Sequence, residues 1–134
     1  MATDPQALIA RARECLERAY APYSRFQVAA AVLDEQGRLF TGVNVENISY
    51  GLSMCAERVA IFAAIAAGAR RITALAVASS GADLLSPCGA CRQVIAEFAA
   101  ADVPVYCEAA GSLHCWTVSE LLPSGFSASQ LVKG

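Results

Sequence analysis

Ser86-Pro87-Cys88-Gly89-Ala90-Cys91-Arg92 is the stretch around which the rest of the chain is organised. Proline is favoured as the first residue of a helix, where its missing N–H would have no partner. Pro87 therefore predicts a helix running to about Ala101. Cys88 and Cys91 then stand three apart on one face of its first turn. There the helix dipole favours thiolate over thiol, and thiolate is the form that binds zinc. Upstream, Cys55-Ala56-Glu57-Arg58 opens a second apolar run, Val59 to Ile65. It predicts a helix from Cys55 to Ala67 that stops at Gly68. Cys55 offers a third sulfur. Glu57 is two residues on, roughly 200° around a helix, so one ion cannot easily take both side chains. The pattern predicts three thiolate ligands, a flanking carboxylate, and a fourth tetrahedral position left for water. That is the arrangement of catalytic zinc, not of structural zinc. A carboxylate in that place can move protons.

Composition bounds the rest. The 134 residues are 56% hydrophobic, enough for one domain, 1–134, with one core. The longest apolar run, Val59 to Ala69, ends at Arg70-Arg71 and falls short of the roughly 18 residues of a membrane span. No membrane partner is expected. The net charge is −2 and the isoelectric point about 5.3, which argues against a nucleic acid partner. Arg70-Arg71 reads as a solvated turn from helix to strand. Met1-Ala2-Thr3-Asp4 carries neither a basic region nor an apolar segment, so a cytoplasmic location is expected. Six cysteines in that compartment point to metal binding or burial before disulfides. With three on the metal, Cys15, Cys107 and Cys115 read as small buried hydrophobes.

Thr3-Asp4-Pro5-Gln6 predicts a helix start, with a capping side chain and Gln6 three after Thr3. Leu8, Ile9, Ala12, Cys15, Leu16 and Ala19 follow at helical spacing, and the helix stops before Pro22. Gln27–Asp34 and Arg38–Glu46 predict a hairpin turning at Glu35-Gln36-Gly37. Ile72–Ser79 and Val103–Cys107 are further strands, with Pro104 a sign of an irregular or edge start. Leu113–Val118 is a fifth strand, and Ser119–Leu122 a short helical turn. A hairpin followed by strand–helix–strand units implies a mixed sheet covered by helices, an α/β fold.

Cys-x-Glu followed by Pro-Cys-x-x-Cys resembles the signature of zinc-dependent pyrimidine deaminases, in its all-cysteine form. Tyr23-Ser24-Arg25-Phe26, Gly42-Val43-Asn44-Val45-Glu46-Asn47, Ser49-Tyr50-Gly51 and Glu120-Leu121-Leu122-Pro123 narrow the resemblance to the small homotetrameric cytidine deaminases. It extends from Pro5 to Ser127. It implies a three-layer α-β-α sandwich with a mixed five-stranded sheet, and one Zn2+ per subunit on Cys55, Cys88 and Cys91. It implies hydrolysis of cytidine and 2′-deoxycytidine to the uridines with release of ammonia, in pyrimidine salvage. Glu57 would be the catalytic proton carrier, and Arg58 would offset the negative charge of three thiolates on one divalent ion. Phe26 would stack on the pyrimidine, Asn44 and Glu46 would bind the ribose, and backbone groups at Ala56 and Ser86 would read the base edge. Tyr50 and Phe126 would complete a neighbouring subunit's site in a homotetramer with shared active sites. In Pro123-Ser124-Gly125-Phe126 the residues before Phe126 depart from the family's common pattern.

Two rival readings stand beside this one. A related deaminase could act on blasticidin S, which the acidic Glu46 opposes, or on N4-modified cytidines. A structural-zinc binding domain would need a fourth protein ligand, and Cys107, His114 or Cys115 could supply one.

Overall fold

The computed structural model describes residues 4–109 and 111–131. The elements in chain order are α1 (Pro5–Glu14), β1 (Val28–Asp34), β2 (Leu39–Val43), α2 (Ala56–Ala66), β3 (Ile72–Ser79), α3 (Gly89–Phe98), β4 (Pro104–Ala109), β5 (Ser112–Thr117) and α4 (Val118–Leu121), with short 3-10 turns between some of them. The five strands form one sheet in the order β2-β1-β3-β4-β5. Only β3 and β4 pair in parallel; the other three pairs are antiparallel. The expected mixed five-stranded sheet is present.

Alternation along the central strands makes the layers. Ala29 and Ala31 of β1 join Ala74, Ala76 and Ala78 of β3 on one face, where Leu8, Ile9 and Ala12 of α1 cover them. Val28, Ala30 and Val32 face the other way, with Leu75 and Val77, into a larger core under α2 and α3. A strand buried on both faces reads as a near-continuous apolar run, as Val28–Leu33 does. Side chains such as Ile61 and Ile95, almost wholly buried, contribute about 1.5–3 kcal/mol each.

Gly42 sets how deeply α2 sits. A Cβ there would lie 2.4 Å from the Ala60 nitrogen and 2.7 Å from the Ala56 carbonyl oxygen. Helix and strand backbones therefore touch at Gly42, and with Ala56, Ala60 and Ala64 buried the start of α2 is held close to the sheet. At the other end Gly68, at φ +103°, closes the helix as expected.

The β1–β2 hairpin is pinned by a buried carboxylate. Asp34, 1% exposed, accepts from the backbone N–H of Gln36 (2.9 Å) and Arg38 (2.8 Å) and from Arg38 Nε (2.7 Å). Burial pushes the Asp34 carboxyl up, but these hydrogen bonds outweigh it and hold the group below its ordinary value.

Several local expectations need correction. The first helix is capped by Asp4, whose Oδ1 accepts from the Gln6 N–H at 3.1 Å; Thr3 lies outside the described residues. It ends at Glu14, because the Cys15 N–H bonds back to Ala12 and the chain tightens into a 3-10 turn. Pro87 is not the first residue of α3. Cys88 is extended, with ψ 169°, and the Pro87 carbonyl accepts from Arg92 Nε instead of continuing the helix. Pro104 opens β4, an interior strand, so it marks a strand start and not an edge. Cys115 is exposed, because β5 is the edge strand; Cys107, on interior β4, is buried as expected, and Cys15 is half-buried. Arg70 and Arg71 are exposed in the turn before β3, as expected. Among the described residues no helix is long and apolar enough to cross a membrane.

Candidate metal centre

α2 and α3 bring their N-termini together. Cys55 is the N-cap residue of α2 and Cys88 that of α3, both extended, and Cys91 follows in the first turn of α3. The three Sγ atoms lie within 4.8 Å of one another, and those of Cys55 and Cys88 are 3.8 Å apart. Two Zn–S bonds of about 2.3 Å at the tetrahedral angle place their sulfurs about 3.8 Å apart. The sulfurs thus fit one zinc ion per chain. Among the described residues no fourth His, Cys, Asp or Glu joins this cluster, so Cys107, His114 and Cys115 do not close it. Two helix N-termini directed at one point favour the anionic sulfurs.

Electrostatics around the sulfurs follow. The Cys55 thiol is pulled down to about 5, first by a hydrogen bond shared with Cys91 and then by Arg58. Cys91 moves the opposite way, because the same shared bond and its burial favour its protonated form. A divalent cation on these sulfurs would favour the thiolate form of all three. Arg58 Nη2 donates to Cys55 Sγ at 3.4 Å, a contact that favours the thiolate. Its Nε is buried without an acceptor among the described residues.

Glu57 lies 4% exposed in the first turn of α2. Burial pushes its carboxyl up to about 7, and the charge on Cys55 adds to the shift. A carboxyl near neutrality can both take and give a proton.

Cys55 and Cys88 help line a cavity of about 320 Å³. Phe26, Asn44, Glu46, Ala56, Glu57 and Ser86 line it, so six of the residues singled out in the sequence meet in one place. Phe26 is 36% exposed, with one ring edge against Gly81; a Cβ on Gly81 would lie 2.7 Å from Phe26 Cε1. Asn44 and Glu46 stand past the end of β2, since that strand stops at Val43. Both already hold the chain. Asn44 Oδ1 accepts from the Val28 N–H (2.9 Å) and Nδ2 donates to the Phe26 carbonyl (2.8 Å). Glu46 Oε1 accepts from the N–H groups of Tyr23 (3.0 Å) and Ser24 (3.1 Å), and Oε2 accepts from the Ser24 hydroxyl. These bonds, that of Ser24 Oγ foremost, keep the Glu46 carboxyl below its ordinary value and therefore ionised at neutral pH. Oε2 keeps one free lone-pair site for a ligand hydroxyl.

Tyr50 lines an adjoining cavity with Tyr23, Ser24, Glu46 and Ser53 and packs edge-on to Tyr23, ring centroids 6.1 Å apart. Phe126 stands outside both cavities, 59% exposed, its carbonyl accepting from Gln93 Nε2 at 2.9 Å. Ser24 and Arg92 were not singled out in the sequence. Ser24 sits inside the Tyr23–Phe26 stretch, where Phe26 drew attention because an aromatic has an evident use. Arg92 looks like any helix arginine until its bonds across the fold are seen.

A three-sulfur centre with a buried carboxylate beside it and an open cavity above defines a hydrolytic zinc centre. A family model described as the cytidine and deoxycytidylate deaminase zinc-binding region matches residues 2–107. The chain belongs to this family of zinc-binding deaminases. It is 49% identical over 129 residues to the cytidine deaminase of Halalkalibacterium halodurans, a match covering 96% of this chain and 98% of that one. It is 39% identical over 128 residues to the cytidine deaminase of Mycobacterium tuberculosis, covering 96% and 93%. The crystal structure of cytidine deaminase from Burkholderia pseudomallei superposes with a TM-score of 0.88 at 43% identity, covering 92% of this chain and all of that one.

Proposed function

We propose that this chain hydrolyses cytidine and 2′-deoxycytidine to uridine and 2′-deoxyuridine with release of ammonia, as a hydrolase acting on the C–N bond of a cyclic amidine. The observation that carries this is Glu57, buried and near neutrality, beside the three-sulfur cluster in a cavity that also presents Phe26 and Glu46. Zinc, when bound on Cys55, Cys88 and Cys91, supplies a Lewis acid that brings the pKa of a water molecule close to neutrality. Glu57 takes a proton from the attacking water and gives one to N3 of the base. The new C–O bond forms at C4. Glu57 then carries the remaining proton of the new C4 hydroxyl to the departing amino group, the C4–N bond breaks as the C4 carbonyl forms, and ammonia leaves. Phe26 supplies a flat wall for the ring. Glu46 accepts from the sugar's 3′-hydroxyl and Asn44 assists it, while backbone groups at Ala56 and Ser86 read the base edge. Arg58 offsets the charge of three thiolates.

An absorbance assay with cytidine, deoxycytidine, cytidine 5′-monophosphate, adenosine and blasticidin S tests this. The two nucleosides should turn over, and the monophosphate far more slowly, because the cavity lining carries a carboxylate and no basic side chain. A monophosphate used as well as cytidine, or turnover of blasticidin S alone, would refute the assignment.

Glu46→Ala should keep the metal and lower kcat/KM for cytidine. The bond lost is charge-assisted, worth about 1.5–3 kcal/mol, which is about 10- to 150-fold. Free cytosine, which has no sugar, should suffer a smaller relative loss. An equal loss would show that Glu46 acts only by holding the Tyr23–Ser24 turn.

We also assign the chain to cytoplasmic pyrimidine salvage, as a homotetramer in which Tyr50 and Phe126 complete a neighbour's pocket. Tyr50, Leu52, Ile48 and Phe126 are 59–72% exposed in the single chain, so a neighbouring subunit could cover them. Light scattering should give four chains per particle. A fully active monomer would overturn the shared-site assignment.

A further inference from the structure

Arg92 belongs to α3, yet its guanidinium bonds away from the helix in three directions. Nε donates to the Pro87 carbonyl (2.7 Å), Nη2 to the Ser86 hydroxyl (3.0 Å) and Nη1 to the Leu121 carbonyl at the end of α4 (2.9 Å). Its backbone N–H donates to the Cys88 carbonyl at 2.9 Å. That backbone bond is the ordinary helical one any residue at 92 would make; the side chain itself holds Ser86 and Pro87, the two residues directly before Cys88. Among the described residues no other hydrogen bond holds Ser86 or Pro87, and the chain from Ser80 to Cys88 has no helix or strand of its own. Pro87, between the other two, is fully buried. The segment's place is thus set from one side by packing at Pro87 and from the other by the Arg92 fork.

We propose that Arg92 is a positioning residue: it fixes Ser86, which faces the cavity, in register with Cys88, which offers a sulfur to the metal. The consequence for the base rests on the role proposed above for Ser86; the consequence for Cys88 does not. A staple serving stability alone would need only the arm to Leu121. Two of the three side-chain bonds instead end on the segment that lines the site. The planar fork matters here, because a lysine ammonium is a point charge and cannot span three acceptors set apart in this way.

The test uses full-length protein carrying cobalt(II) in place of zinc, with Arg92→Lys compared to the parent. Metal content, melting temperature, the thiolate-to-cobalt absorption band and steady-state constants for cytidine are measured. The variant should bind one metal per chain but show a shifted band, and KM should rise with kcat/KM falling about 10- to 100-fold, the scale of a small misplacement. Ser86→Ala, which removes one bond only, should move KM in the same direction by less. It keeps the proposal testable if Arg92→Lys fails to fold. In the double variant Ser86→Ala should add almost nothing, because its partner is already lost. A lowered melting temperature with band and KM both unchanged overturns the proposal. A shifted band with unchanged KM upholds the hold on Cys88 and overturns the base contact assigned to Ser86. Full additivity of the two substitutions also overturns the proposal.

Discussion

Glu57→Gln is expected to keep one zinc per chain and an intact fold while losing several orders of magnitude in kcat. The amide matches the carboxylate in size and removes only its ability to exchange protons. General acid–base catalysis contributes about 10²–10⁴-fold at a single step, and Glu57 is assigned to more than one. The fold should tolerate the change, because Glu57 is 4% exposed and burial already opposes its charged form. Its carboxylate also stands outside the cluster of three sulfurs that could hold a metal. Zinc content by elemental analysis and kcat with cytidine, on the same preparation, check both halves. Zinc lost along with activity would make Glu57 a fourth ligand and close the site.

Cys88→Ala should fail in a different way. It removes one of three ligands at the point where the two helices meet, so metal, activity and stability should fall together. Zinc should drop from one per chain to near none after dialysis, with activity following it. The melting temperature should fall toward that of parent protein stripped by a chelator, and chelation should lower the variant's no further. Cys115→Ala is the control: this cysteine is exposed on the edge strand and lies outside the cluster, so its loss should leave zinc content unchanged. Full zinc retention in Cys88→Ala would contradict the ligand assignment.

What was legible in the sequence follows from how local each signal is. Three cysteines at two predicted helix starts were readable, because spacing along a helix and the dipole at its end are properties of a few adjacent residues. The expectation that Glu57 is a non-ligand rests on the same local spacing. The five strands and their turns were visible from runs of Val, Ala and Leu punctuated by Gly37 and Gly68. Their lateral order was not, since periodicity says which face a residue takes and not which strand lies beside it; β2-β1-β3-β4-β5 is seen only in the folded chain. Pro87 was misplaced because a proline before a helix and one inside its first turn look alike in sequence. The deciding fact is an arginine reaching back to a carbonyl. Cys115 was misjudged because apolar neighbours suggest burial, while exposure of β5 depends on its place at the sheet edge. The bonds of Glu46 to Tyr23 and Ser24 join residues more than twenty positions apart. No local pattern announces such a contact, and it gives a residue assigned to the sugar a second task in shaping the cavity.

The central claim is that three sulfurs hold the metal and Glu57 does not. X-ray absorption at the zinc edge, on the parent and on Glu57→Gln, tests it most directly. Both should show three sulfur ligands at about 2.3 Å and one oxygen at about 2.0–2.2 Å, with superimposable spectra. A fourth sulfur in the parent, or an oxygen ligand that changes or disappears in Glu57→Gln, would contradict it.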